Sequence, residues 1–235
     1  MATSGTYSFM MVRDDLIGAA ARLTGRFDPY DSIPPTDVTN IAQALNILVK
    51  ELVTEGLPLW KVETLAVPMI AGQAVYNLST LSNSTLPLRV LQAFLRDSAG
   101  NDVEIMIESR YDYNRLGQKT SQSVPNQGYY DPQLAGGTLT LYNVPQDATR
   151  TLYVVMQYQA QDFNSATDNP DFPQEAYRML KWCLADEIAV EYNTPPAKRG
   201  EIAGRALTLR KDFFEKQQEQ VSVFITPTVR GERGN

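Results

Sequence analysis

The sequence predicts an α+β fold in which N- and C-terminal helices form a helical bundle with a β-rich region inserted between them. Two observations support this class. Apolar residues recur at helical spacing towards both ends of the chain, and between about residues 60 and 158 the spacing changes to the alternation of strands. Helices and strands are segregated along the chain, unlike the βαβ alternation of a nucleotide-binding sheet. We therefore expect a mostly antiparallel β-sandwich or barrel-like region.

Two helices are expected before the β-region. The first covers residues 12–25, with Gly25 as its C-terminal stop, and Thr36 and Asp37 are placed to cap the second. The second helix carries a one-sided apolar stripe, so we expect it to lie on a partner helix. The stripe consists of Val38, Ile41, Leu45, Leu48 and Leu52.

The middle of the chain has the alternation and the turn residues of short strands. Residues 98–101 are expected to form a hairpin tip, 108–117 a short helix and 118–127 a long exposed loop. The predicted strands are 60–67, 74–78, 88–96, 102–106, 138–142 and 151–158.

Two further helices are expected after the β-region. Pro173 is placed to open the third helix, which stops near Pro195, and a fourth helix of about 20 residues follows. The expected domains are residues 1–59, the β-rich domain 60–160, the C-terminal helices 161–220 that pack on the N-terminal ones, and an extended arm, 221–235.

The composition excludes several classes of function. The 235 residues include no histidine, which removes His-dependent triads and His-containing zinc motifs. A net charge of −6 argues against a protein that grips nucleic acid. Residues 196–235 nevertheless hold eight basic and five acidic side chains. This polarity suits head-to-tail assembly, in which a basic end meets an acidic face.

No motif indicates a cofactor or a metal ion. The chain lacks the glycine-rich phosphate loops and the EF-hand spacing of carboxylates. The single cysteine, Cys183, falls in an apolar helix and is expected to be a packed core thiol. The N-terminus lacks the pattern of a secretory signal, and no window is apolar enough to span a bilayer, so no membrane partner is expected.

Paired carboxylates are the enzymatic option that the composition leaves open. Glu104 and Glu108 lie at a predicted strand end, and three more carboxylates share one helix, so a glycosidase-like acid and base can be considered. The alternative is a solvated or intersubunit helix face, which we favour. The three helical carboxylates are Asp186, Glu187 and Glu191.

Tyrosines crowd the β-region. Tyr129 and Tyr130 could stack on sugars or bases, as in a carbohydrate-binding module. Tyrosine is also the residue that protein interfaces recruit, and we favour intersubunit or tail contacts for this pair.

The end of the chain alternates apolar and polar residues before Pro227. An exposed apolar strand favours aggregation, so we expect it to be covered. It can fold back as a last strand of its own sheet, or it can add a strand to a neighbouring chain. The expected partner-binding residues are Val221, Val223, Phe224, Ile225, Val229, Arg230 and Arg233.

Several local patterns, in this order, resemble the head-to-tail adaptor family of short-tailed double-stranded-DNA phages, of the tail accessory factor or tail tubular protein A type. They cover about residues 36–195. The stretches are Leu57-Pro-Leu-Trp60, Ala71-Gly-Gln-Ala-Val-Tyr-Asn-Leu78, Glu108-Ser-Arg-Tyr-Asp-Tyr113, Gln127-Gly-Tyr-Tyr-Asp-Pro132, Thr138-Leu-Thr-Leu-Tyr-Asn-Val-Pro145, Leu152-Tyr-Val-Val-Met-Gln-Tyr158 and the helix from Phe172 to Ala185.

The resemblance implies a structural role in the virion, with assembly in the host cytoplasm. Twelve copies would form a ring beneath the portal protein, join the portal vertex to the tail nozzle or tail tube protein, and continue the DNA channel during ejection. Double-stranded DNA would then be non-specific cargo. Some members of the family have been credited with peptidoglycan hydrolysis, so the alternative is a virion-associated hydrolase that uses paired carboxylates.

Overall fold

A computed structural model describes residues 5–6, 9–28, 30–55, 59–82, 86–134 and 136–217. This part of the chain forms six α-helices and nine β-strands, so the predicted mixture of helices with a separate β-region is confirmed. The helices are α1 (Arg13–Thr24), α2 (Pro35–Glu55), α3 (Leu78–Leu81), α4 (Arg110–Arg115), α5 (Tyr177–Ala189) and α6 (Pro196–Lys216). The strands are β1 (Val62–Pro68), β2 (Val75–Asn77), β3 (Pro87–Arg96), β4 (Asp102–Glu108), β5 (Gln122–Ser123), β6 (Gln127–Gln133), β7 (Gly136–Tyr142), β8 (Val144–Pro145) and β9 (Thr151–Tyr158).

The four long helices share one hydrophobic core. Helix α1 ends as predicted at Gly25, whose φ of 75° is the left-handed conformation that favours glycine. Helix α2 begins at Pro35, so Thr36 lies within its first turn and does not cap it. Proline is well suited to a first helical position because its missing N–H would have no partner there. The predicted α2 stripe faces the core, where Ile41, Leu45, Leu48 and Leu52 are buried.

Seven of the nine described strands form one curled sheet, a half-barrel, so the barrel-like alternative describes the β-region better than a sandwich. The strand order of this sheet is β1-β9-β3-β4-β6-β7-β2, and a separate two-stranded sheet pairs β5 with β8. The large sheet is antiparallel except between β4 and β6. Its inner face is a second hydrophobic core, which includes Leu95, Ile105, Leu139, Leu152 and Val154.

The sequence pattern missed the short elements α3, β5 and β8 and the longer strand β6; β5 lies within residues 118–127, which were expected to form a loop. Strand β6 is the most informative of these. Its glycine, aspartate and proline are turn formers, which weakens the signal of a strand. Strand β6 pairs with β4 on one side and with β7 on the other. A Cβ on Gly128 would lie at the van der Waals distance of 3.4 Å from side-chain atoms of both Ile105 and Leu139. Backbone pairing with both neighbours, and not local propensity, therefore determines this strand.

Polar contacts join the helices to the sheet. The buried Gln157 donates from Nε2 to the Val53 carbonyl oxygen at 2.8 Å. Trp60 donates from its indole nitrogen to the Asp171 carbonyl oxygen at 3.3 Å, and Lys61 pairs with the Asp171 carboxylate. The start of β1 is thereby attached to the helical core.

Within the described ranges, no helix combines the length and the apolarity that crossing a membrane requires.

Candidate contact surfaces

The outer face of the curled sheet carries two groups of aromatic rings with cations over them. Side chains alternate between the two faces along each strand, so the residues between the core positions point outwards. We define the β3–β9 patch as Phe94, Arg96, Asp102 and Tyr153. We define the β6–α4 patch as Arg110, Tyr113, Lys119, Tyr129 and Asp131.

The β3–β9 patch is held by strand pairing. The rings of Phe94 and Tyr153 stack with their centroids 5.1 Å apart. The Arg96 guanidinium lies 4.8 Å from the Tyr153 ring centroid and 5.4 Å from that of Phe94. Arg96 also donates two hydrogen bonds of 2.7 Å to the Asp102 carboxylate, and this pairing keeps the pKa of Asp102 below its ordinary value. The cation is therefore fixed over the stack.

The β6–α4 patch repeats this chemistry next to helix α4. Ser109 caps the helix by accepting the Asp112 N–H at 3.1 Å, which positions the residues that follow it. Tyr113 then stacks on Tyr129 with the ring centroids 5.7 Å apart. The Arg110 guanidinium lies 5.3 Å from the centroid of the Tyr129 ring. The Lys119 ammonium group lies 5.1 Å from the centroid of the Tyr113 ring.

Tyr129 and Tyr130 lie on opposite faces of β6 because they are consecutive in a strand. Tyr129 is half-buried, and its hydroxyl donates to Asp131 Oδ1 at 3.2 Å. Tyr130 is 9% exposed and donates to the Pro87 carbonyl oxygen at 2.8 Å. Burial raises the pKa of Tyr130 to about 12. Gly137 leaves room for the Tyr130 ring, which a Cβ at that position would contact. Tyr129 is thus the member of the pair that offers surface.

The sequence pattern did not indicate Phe94 and Arg96 as surface residues, and it indicated Tyr153 only as one of several tyrosines in the β-region. Phe94 and Tyr153 each lie between two buried apolar positions of a predicted strand, and Arg96 follows the buried Leu95. The exposed Met106 lies on the same outer face, in β4 between the two patches. Pairing of remote strands brings these side chains together, so their spacing along the chain does not reveal the surface.

The seven arm residues expected to bind partners, Val221, Val223, Phe224, Ile225, Val229, Arg230 and Arg233, lie outside the described residues. The described chain stops at Gln217, directly after α6. The last buried residue of α6, Phe213, contacts Trp60 with the ring centroids 5.5 Å apart.

The amino-acid sequence matches the model of a known protein family. The family model described as SU10 adaptor protein matches residues 11–228. The chain belongs to the SU10 adaptor protein family. The match supports the predicted class of phage adaptor protein; the tail tubular protein A type and the short-tailed phage stay predictions. No curated protein matches the chain.

The thiol of this SU10 adaptor family member is a core group, as predicted. Cys183 is 5% exposed, and its sulfur lies 3.9 Å from the Ala206 carbonyl oxygen. Burial raises the pKa of Cys183 to about 11. The neutral thiol therefore persists at physiological pH, and a nucleophilic thiolate is disfavoured.

The carboxylates considered for an acid and base lie in two separate places, on or just after helix α5 and on strand β4. Asp186 is half-buried, and burial raises its pKa, whereas Glu187 and Glu191 are exposed. Consecutive residues of a helix do not face each other, so Asp186 and Glu187 point in different directions. On β4, Glu108 accepts a hydrogen bond of 2.9 Å from Gln127.

A cavity of about 260 Å³ lies between α2 and the segment after β9. It is lined by Lys50, Val53, Thr54, Gln159 and Ala160, none of which can supply a carboxylate. Among the residues that the structure describes, no three histidine, cysteine, aspartate or glutamate side chains are grouped so that they could hold a metal ion.

Proposed function

We propose that this chain is a structural head-to-tail adaptor of a phage virion. Copies of it, twelve in number, form a ring that joins the portal vertex to the tail nozzle or tail tube and continues the DNA channel. The observation that carries the proposal is the family match over residues 11–228. An adaptor acts through contacts with other virion proteins, so the surfaces described above are where its function is expected.

The outer face of the sheet supports this role. Tyrosine, methionine and arginine are enriched in protein interfaces, and both patches combine tyrosine with arginine around the exposed Met106. Stacked rings and paired cations are already ordered in the single chain. Binding through such a face costs little additional side-chain entropy. We assign Tyr129 and the β3–β9 patch to contacts between neighbouring copies or with the tail.

The charge distribution supports a channel that does not grip DNA. A ring of copies at −6 each would be strongly acidic, so DNA passing through it would be repelled. The basic excess of residues 196–235 suits a contact with an acidic neighbouring surface. Arg210 shows such a contact inside the chain, where it donates to Glu51 at 2.7 Å and also to Glu55.

We propose that the two cores correspond to two parts of the joint. The helices of residues 1–59 and 161–220 would act as one bundle that packs beside those of neighbouring copies, while the half-barrel within residues 60–160 presents its outer face. The arm, residues 221–235, would contact the portal or a neighbouring subunit through its apolar side chains and through Arg230 and Arg233.

Removing the arm tests this assignment. We expect a chain that lacks residues 221–235 to stay folded, with a helical circular dichroism spectrum and a cooperative thermal unfolding transition, but to fail to form a ring on purified portal in negative-stain electron microscopy. A chain that lacks only residues 234–235 is the matched control, because it retains every residue assigned to the contact. Ring formation on the portal by the longer truncation would exclude the arm from the mechanism.

A cell-wall assay addresses the hydrolase alternative. We expect no clearing of peptidoglycan in a zymogram loaded with the full chain. Clearing that disappears in Glu187→Gln or Glu191→Gln would make the lytic enzyme the better description.

A further inference from the structure

Strand β1 forms an open edge of the large sheet. It pairs with β9 along its whole length, from Val62 opposite Gln157 to Pro68 opposite Thr151. On its other side no described strand is present, since β1 ends the strand order. An open edge of seven residues presents backbone donors and acceptors to any extended segment that reaches it.

The backbone groups that face this open side can be identified. Met69, directly after β1, donates its N–H to the Arg150 carbonyl oxygen at 3.3 Å, so its backbone groups face the β9 side. Alternate residues of an antiparallel strand face the same neighbour. The groups of Val62, Thr64 and Ala66 therefore point away from β9. Pro68 faces the same way and has no N–H, which is the position that proline tolerates in an edge strand.

The C-terminal part of helix α6 lies near the beginning of β1. Its Arg210 pairs with Glu51 and Glu55 at the end of α2, and its Phe213 ring contacts Trp60. Trp60 is two residues before β1. The described end of α6 therefore lies near the beginning of β1. Three residues, 218–220, separate Gln217 from Val221, and the four Cα–Cα steps between these two residues can span up to about 14 Å.

The sequence after this connection has the pattern of one edge strand. Val221, Val223 and Ile225 alternate with Ser222 and Phe224, and Pro227 stops further pairing. On β1, Val67 and the half-buried Leu65 face the inner core of the sheet. A strand with its three aliphatic side chains on that face would extend the core and cover Leu65. A segment of five residues also fits within the length of β1.

We propose that the open edge of β1 binds residues 221–225 of the same chain as an added strand. The strand runs parallel to β1, because the connection starts at the β1 end that lies beside the helical core. This intrachain docking goes beyond the adaptor role and does not depend on it. In the unassembled chain the edge and the apolar arm cover each other, so a partner that takes up the arm must first displace it from β1.

Cysteine cross-linking of the isolated chain tests the proposal. Thr64→Cys is combined in turn with Ser222→Cys, Val223→Cys and Phe224→Cys, because adjacent strands lie within disulfide distance. The buried Cys183 remains in every variant. We expect an intrachain disulfide in at least one pair under mild oxidation. The matched control places the partner cysteine at Val75, which is exposed on β2 at the other end of the strand order, and we expect about tenfold less cross-link there.

Hydrogen exchange supplies a second measurement. In the full chain we expect the amides of residues 221–225 to exchange at least about tenfold more slowly than unpaired amides. Thr64→Pro removes an N–H that faces the open edge, so this protection should be lost, while Thr64→Ala retains the N–H and the protection.

Two results would overturn the proposal. Cross-links found only between two chains would show that the arm serves a neighbouring copy. The absence of both cross-link and protection in the isolated chain would show that the edge is not its docking site. Because no portal is present in either measurement, failure here leaves the adaptor role untouched, and failure of ring formation on the portal leaves this docking untouched.

Discussion

Phe94 and Tyr153 are direct register partners on β3 and β9, and their rings lie within 4° of parallel on the outer face of the sheet. Strand pairing alone brings the two side chains together, because they are 59 positions apart in the sequence. The stack and the Arg96 guanidinium over it form an ordered surface in a single chain. This surface is available to a neighbour without rearrangement.

The stack should contribute a measurable coupling energy. We expect Phe94→Ala and Tyr153→Ala to show an interaction of about 0.5–1.5 kcal/mol in a double-mutant cycle of urea unfolding, since each ring loses its partner when the other is removed. Phe94→Ala combined with Tyr142→Ala, on the remote strand β7, should be additive. A coupling near zero between Phe94 and Tyr153 would show that the rings are merely adjacent.

Variants of the neighbouring Tyr129 and Tyr130 should differ in their effect on association. Tyr129→Ala should weaken association between copies or with tail components, because Tyr129 lies on the outer face, and the loss of its stack on Tyr113 should lower the free energy of unfolding by about 0.5–1.5 kcal/mol. Tyr130→Phe should lower the free energy of unfolding by about 0.5–1.5 kcal/mol, since the Pro87 carbonyl oxygen loses its donor, and should leave association unchanged. Sedimentation velocity and thermal unfolding measure the two effects. Equal loss of association in both variants would contradict the assignment of faces.

The junction between helices and sheet should depend on Gln157. This side chain is fully buried, donates to Val53 and accepts from Arg89. Gln157→Leu should cost about 1–3 kcal/mol of unfolding free energy, because the buried Val53 carbonyl oxygen loses this donor. Gln92→Leu is the control, since Gln92 is exposed in β3, and it should change stability by less than about 0.5 kcal/mol. Equal losses in the two variants would argue against the hydrogen-bond account.

Stability should fall with alkaline pH through Cys183. Its pKa is raised from 9.0 to about 11 in the folded chain, so between these values the unfolded chain binds fewer protons than the folded one. The free energy of unfolding then decreases with pH, by up to about 1–3 kcal/mol in total. Comparing wild type with Cys183→Ala by urea unfolding from pH 8 to pH 11 removes the contribution of the tyrosines. Parallel curves for the two proteins would contradict a buried, neutral thiol.

The helices were predictable because their signals are local. The apolar stripe of α2 indicates both the helix and its buried face. Gly25 indicates where α1 ends. Strand β9 was also predictable over its full length, since its alternation is regular. Strand β6 was not predictable in this way, because its glycine, aspartate and proline are typical of turns. It forms a strand because it pairs with β4 on one side and β7 on the other.

The contact surfaces were predictable only in part. Tyr129 was identified from the density of tyrosines, but the sequence could not separate it from the buried Tyr130 without the register of β6. The β3–β9 patch depends on a strand pair that closes a long loop. Which strands pair is determined by the packing of the whole sheet, so the sequence of each strand alone does not show its partner.

The sequence by itself determined the segregation of helices from strands and the lack of histidine chemistry, because these depend on composition and on the spacing of neighbouring side chains. Only the tertiary structure decided that the strands form one curled sheet, that β1 is left as an open edge and that rings remote in sequence stack on the outer face. The physical reason is that backbone pairing and core packing act between segments far apart in the chain, where local propensity carries little information.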